Sequence, residues 1–207
     1  MTDVVPPSLV RLPRFAPGMR IGLFGGTFNP SHQGHRLVSQ LALNRLGLDR
    51  LWWIVTPGNP LKEHSGLAPL EERMEAARAI ADDPRIDVTG FEAELGSKFT
   101  VDAISFLRRR CSQVQFVWIM GADNLASFHK WLRWEEIAET LPIVVIDRPG
   151  STLKAMNSRA GQLLARHRLA ETDARLLPGA QAPAFVFIHG PRSDLSSTQL
   201  RAQAKPD

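Results

Sequence analysis

The stretch RIGLFGGTFNPSHQGH, residues 20–35, reads as a buried strand, a glycine turn and the start of a helix. Ile21, Leu23 and Phe24 make a short apolar run, and Gly25 and Gly26 break it where the chain must turn tightly and let something approach the backbone. Pro30 delays the helix. From Gly34 a helical spacing sets in, with Leu37, Val38, Leu41, Ala42 and Leu46 on one face and Gly47 as the stop. His32 and His35 stand at the turn. A strand-to-helix turn with a free helix N-terminus is an anion site, and two histidines add donors aimed at the same place.

Two common phosphate motifs do not fit this turn. No Lys follows the glycines as in G-x-x-x-x-G-K-[ST], and the spacing is not G-x-G-x-x-G, so a bound dinucleotide is not indicated. A zinc site is not indicated either, because H-x-x-H lacks the Glu of H-E-x-x-H and no nearby Cys or acid completes a ligand set.

Outward from the turn, the chain of 207 residues suits one domain, and 43% apolar residues can fill a sizeable core. Residues 1–18, with Pro6, Pro7, Pro13 and Pro17, are expected to be a disordered extension, and residues 19–207 a single domain. Met19 is a candidate start, because the first strand begins at the next residue. The formal charge is +4, carried largely by arginine, which suits phosphate binding and also keeps a nucleic-acid-binding module open as an alternative. Arg108, Arg109 and Arg110 read as a solvated helix end favoured by the helix dipole. The single cysteine, Cys111, excludes an internal disulfide and is consistent with a reducing compartment, so the expected location is cytoplasmic. No apolar run approaches the length of a membrane span.

Leu51 to Val55 is a second buried strand, so strand, helix and strand form a βαβ unit and predict an α/β fold with a parallel sheet. A right-handed crossover places the first turn at the C-terminal edge of that sheet, where open parallel sheets bind ligands. The loop Pro57-Gly58-Asn59-Pro60 follows, with Lys62 and His64 beyond it. A helix is expected from about Pro69, with Leu70, Met74, Ala77 and Ile80 on its apolar face. Ile86 to Val88 is a short strand, residues 91–100 are irregular, and a helix follows with Thr100 as N-cap. Val114 to Met120 is a central strand ending in Gly121-Ala122-Asp123-Asn124. A helix from about Arg133 to Thr140 and a strand from Pro142 to Ile146 come next. Of the two tryptophans three apart, Trp134 is assigned to the core and Trp131 to a pocket. Residues 151–182 are expected to hold one helix, about Leu153 to His167, and a long loop before the last strand, Ala184 to Ile188. Near the C-terminus Ser196, Ser197 and Thr198 precede Gln199, a capping box that is also a second anion site, with Arg201 one turn in to fork onto phosphate oxygens.

G-G-T-F-N-P-S-H-Q-G-H and S-S-T-Q-L-R together resemble the two signatures of the nucleotidyltransferase superfamily, H-x-G-H and S-S-T-x-x-R. With the P-G-N-P loop, Thr100, M-G-A-D-N, Trp131 and D-R-P-G, the chain from about Met19 to Arg201 resembles the bacterial nicotinate mononucleotide adenylyltransferases. That resemblance implies a Rossmann-like three-layer α/β/α fold with a mostly parallel sheet. It implies transfer of the adenylyl group of ATP to nicotinate mononucleotide, giving deamido-NAD and pyrophosphate. It implies catalytic roles for His32, His35 and Arg201, and ATP contacts from Gly25, Gly26, Thr27, Phe28, His32, His35, Ser196, Ser197, Thr198 and Arg201. Contacts to the acceptor nucleotide fall on Asn59, Thr100, Asp123, Trp131 and Arg148, with Trp131 stacking on the pyridine ring. Mg2+ is implied, bound mainly through the ATP phosphates, with no protein metal site. Neither a nucleic acid nor a membrane is an expected partner, and self-association is left open. Two departures stand out: Leu61-Lys62-Glu63-His64 replaces the family's Pro-Pro-His-Lys pattern, and Leu132 stands where a Tyr often follows the Trp. Nicotinamide mononucleotide or phosphopantetheine are the alternative acceptors, and spacing alone does not choose acid over amide.

Overall fold

The computed structural model describes residues 10–58, 66–147 and 152–190. Six strands form one sheet there, β1 (Arg20–Gly26), β2 (Arg50–Val55), β3 (Ile86–Thr89), β4 (Gln115–Gly121), β5 (Ile143–Ile146) and β6 (Phe185–Ile188), in the order β3-β2-β1-β4-β5-β6. Every neighbouring pair is parallel. The fold is Rossmann-like α/β, doubly wound, and the chain switches direction across the sheet between β1 and β4. That crevice opens at the C-terminal ends of β1 and β4, where the Gly25-Gly26 turn and Gly121-Ala122-Asp123 lie.

Side chains of successive strand residues go to opposite faces, so the sheet has two cores. Ile21, Leu23, Trp52, Ile54, Phe116 and Trp118 face one cluster, covered by α3 (Thr100–Arg110), α4 (Ala122–Phe128), α5 (Trp134–Thr140), α6 (Thr152–Met156) and α7 (Arg159–Ala165). Phe24, Leu51, Trp53, Val55, Val117 and Ile119 face the other, covered by α1 (Gln33–Leu46), α2 (Leu70–Ile80) and a 3-10 segment, Glu171–Gly179. Trp52 and Trp53, adjacent in β2, are thus buried on opposite sides.

Several elements differ from the sequence expectation. β1 runs on through both glycines, while α1 ends as expected at Gly47, whose φ of 62° only glycine adopts at ease. Phe91–Leu95 forms a 3-10 turn rather than irregular chain. Thr100 is the first helical residue of α3 and Phe99 the N-cap; Ser97 Oγ accepts from the Phe99 amide and donates to Asp102, supplying the polar contacts expected of Thr100. α4 is absent from the sequence expectation, because seven residues carry too little periodicity to read. The helix expected over residues 153–167 is two, α6 and α7. They pack so closely that a Cβ on Gly161 would lie 2.2 Å from the Ala155 carbonyl oxygen.

The described part of the expected disordered extension, residues 10–18, packs on the domain instead. Val10 is 4% exposed, and Leu12 and Phe15 lie against the first core. Phe15 meets Trp52 edge-on at 6.3 Å, the Arg11 carbonyl accepts from Thr89 Oγ1, and the Gly18 amide donates to the Gln113 carbonyl. The apolar residues between the prolines bury enough surface to order the strap. No helix among the described residues is long and apolar enough to cross a membrane.

Candidate functional site

The turn after β1 is built by close packing. A Cβ on Gly25 would lie 2.7 Å from the Trp118 ring, so the group that approaches this glycine most closely is an indole from β4. Phe28 takes φ 47°, a left-handed conformation that costs a bulky residue about 1–3 kcal/mol. Its ring, 2% exposed, stacks on Trp53 at 4.9 Å and lies 4.8 Å from the His35 ring, which holds the strained backbone in place.

His32 and His35 close the start of α1 as a reciprocal cap. His32 Nδ1 accepts from the Gly34 amide at 3.1 Å, and His35 Nδ1 accepts from the His32 amide at 3.2 Å. A backbone amide can only donate, so each neutral ring carries its proton on Nε2. The rings lie 3.9 Å apart. No acidic side chain occupies the first turn of α1, which leaves the positive end of the helix dipole for an anion. In that tautomer both rings carry an N–H donor beside the start of α1. Among the described residues no three His, Cys, Asp or Glu side chains gather as a metal cage.

The other described candidates line the same edge of the sheet. Gly26 is paired with Val55, and its carbonyl accepts from the Thr56 amide. Asp123 sits exposed in the first turn of α4, directly after β4. Trp131 is half-buried, edge-on to Trp118 at 6.2 Å and to Phe128 at 5.3 Å, while Trp134 is only 6% exposed in the core. Gly25, Trp118 and Trp131 therefore form one chain of contacts from the glycine turn to the indole. Arg133, at φ 52°, reaches from the residue beside α5 to Asp102 in α3 at 3.8 Å, which ties the Trp131 segment to the helix that Thr100 opens. The candidates Asn59, Arg148, Ser196, Ser197, Thr198 and Arg201, and also Lys62 and His64, lie outside the described residues.

Two charged residues escape a sequence reading. Arg73 in α2 is 3% exposed and donates to main-chain carbonyls of the loops around the turn. Glu92, also 3% exposed, lies in the turn after β3, and burial pushes its carboxyl up to about 7. Arginine on a helix and glutamate in a loop ordinarily face water, so nothing in their spacing marks them.

The cytidylyltransferase-like family model matches residues 23–203. A protein of Methylorubrum extorquens, named a probable nicotinate-nucleotide adenylyltransferase, is 58% identical over 185 residues, 89% of this chain and 100% of its own length. One of the same name from Agrobacterium fabrum is 57% identical, over 90% of this chain and 100% of its own. Among solved structures, Plasmodium falciparum nicotinic acid mononucleotide adenylyltransferase complexed with NaAD superposes with a TM-score of 0.68 at 16% identity, covering 88% of this chain and 82% of that one. At that identity the likeness is one of fold.

Proposed function

The chain belongs to the cytidylyltransferase-like family, and from that premise we propose that it transfers the adenylyl group of ATP to nicotinate mononucleotide, releasing pyrophosphate and deamido-NAD. The observation that carries the reaction class is the double-histidine cap on α1, which sets two Nε2–H donors at a helix N-terminus on the switch-point edge of the sheet. The acceptor is supported by full-length relatives named for it and by Trp131, a flat half-buried ring beside that edge.

In this reaction a phosphate oxygen of the mononucleotide attacks the α-phosphorus of ATP. The bond from that phosphorus to the bridging oxygen breaks, and the electron pair leaves with pyrophosphate. The nucleophile is already an anion at neutral pH, so the protein needs no general base. It must hold two polyanions in line and stabilise the charge that grows on the leaving group. His32 and His35 donate to ATP phosphates, and the main chain of Gly25, Gly26, Thr27 and Phe28 lets them approach. Ser196, Ser197, Thr198 and Arg201 hold the β and γ groups. Asn59, Thr100, Asp123, Trp131 and Arg148 take the acceptor. A magnesium ion would be held by ATP oxygens and water and would screen their charge. A cytoplasmic location suits the single cysteine of the chain, whose thiol is buried.

The test is pyrophosphate release from ATP and Mg2+ with nicotinate mononucleotide and its amide in parallel. The expected result is a preference for the acid of about a hundredfold, because an amide would leave donors meant for a carboxylate unpaired. Equal or amide-preferring turnover overturns the acceptor assignment. Release with phosphopantetheine alone moves the chain to another acceptor class.

A further inference from the structure

Arg73 belongs to α2, outside every segment named above as a site, yet its guanidinium is almost wholly enclosed. Its partners among the described residues are all main-chain carbonyls. Nε donates to Ala68 at 2.8 Å, Nη1 to Thr27 at 2.7 Å and to Thr56 at 2.8 Å, and Nη2 makes a long contact of 3.5 Å to Pro57. No carboxylate pairs with it among the described residues, and burial alone pushes its pKa below the ordinary arginine value. A buried cation without a counter-charge is costly, and an apolar side chain would fill the same space more cheaply.

The position of the bonds supplies a reason. The ladder between β1 and β2 ends at Gly26 and Val55, followed by one last bond from the Thr56 amide to the Gly26 carbonyl. Beyond that point the two segments are no longer paired, one entering the turn at Thr27 and the other the Pro57-Gly58 loop. One nitrogen of Arg73 holds the next carbonyl on each side. It continues the ladder where no strand remains and sets the spacing between the two loops.

Resting on the adenylyltransferase reading, we propose that Arg73 is a positioning residue for the reaction: its Nη1 clamps the turn at Thr27 to the loop after β2 at Thr56 while Nε, bonded to Ala68, fixes the guanidinium plane, and so the ATP site is held relative to the acceptor site. Lysine can supply the charge but not the planar fork that meets several carbonyls at once. Gln retains hydrogen bonding without charge or reach.

Arg73→Lys and Arg73→Gln are to be assayed for pyrophosphate release beside the wild type, with KM for both substrates, at ordinary temperature and in the cold, and each checked for folding by circular dichroism. Folded variants are expected to lose kcat by about 10–100-fold while KM for ATP moves by no more than about threefold, because misplacement of reacting groups is felt mainly in the chemical step. Turnover within about threefold of wild type in a folded variant overturns the proposal. So does a loss that disappears in the cold, or failure of both variants to fold there, since either makes Arg73 a folding determinant alone. An inactive wild type overturns the adenylyltransferase reading itself.

Discussion

At the scale of single residues, the candidate site is built from side chains that also serve the backbone. His32 and His35 each commit Nδ1 to an amide, and the tautomer that remains is the one that donates from Nε2. Phe28 holds an unfavourable φ because three aromatic neighbours grip its ring. Glu92 has the opposite character: it makes no ion pair among the described residues, and loss of water alone raises its carboxyl from 4.5 to about 7. Between those two values the folded chain binds more protons at Glu92 than the unfolded chain does. Stability therefore falls as pH rises through that window, and the penalty is complete above it at about 3 kcal/mol. Glu92→Gln is expected to remove this slope and to be the more stable protein above pH 7. Urea unfolding below 4.5 and above 7 measures it, and an unchanged slope would acquit Glu92.

At the scale of elements, what can be read from the sequence is what has a period or a cap. The strand, turn and helix of residues 20–47 follow from an apolar run, two glycines and a Gly stop, and the structure keeps all three. Spacing puts Leu70, Met74, Ala77 and Ile80 on the apolar face of α2; Met74 and Ala77 are buried, but so is Arg73 beside them, whose burial depends on carbonyls distant in sequence. The break between α6 and α7 carries no proline, and its one signal is Ser158, whose side chain caps α7 by accepting from the Gly161 amide. Gly161 makes the crossing possible, with no room for a methyl against the Ala155 and Met156 carbonyls. Gly161→Ala is expected to cost about 1–3 kcal/mol, seen in thermal melting as a drop of about 2–4 °C per kcal/mol. A variant that melts with the wild type would mean the helices separate freely.

At the scale of the whole molecule, a parallel sheet with the glycine turn at its C-terminal edge is legible from one βαβ unit. The order of six strands is not, since connection length does not say on which side of β1 a strand will dock. The strap of residues 10–18 reads as disordered because its prolines dominate composition, while its burial rests on Val10, Leu12 and Phe15 finding the first core. Removing residues 1–18 is expected to destabilise the domain by about 3 kcal/mol, a melting shift of about 6–12 °C. Turnover below the transition should persist, because the contacts of the described residues 10–18 fall on Trp52, Thr89 and Gln113. An unaltered melting curve would show that the strap contributes nothing to the fold. The edge-on stack of Trp131 on Trp118 has an optical consequence. The chain has five tryptophans and no tyrosine, so its ultraviolet emission comes from indole alone. Trp52, Trp53, Trp118 and Trp134 are enclosed, and an aqueous quencher such as iodide reaches Trp131 ahead of them. A pyridine ring laid on that indole would dim the signal and shield it at once, making the protein an unlabelled fluorescent reporter of its own occupancy.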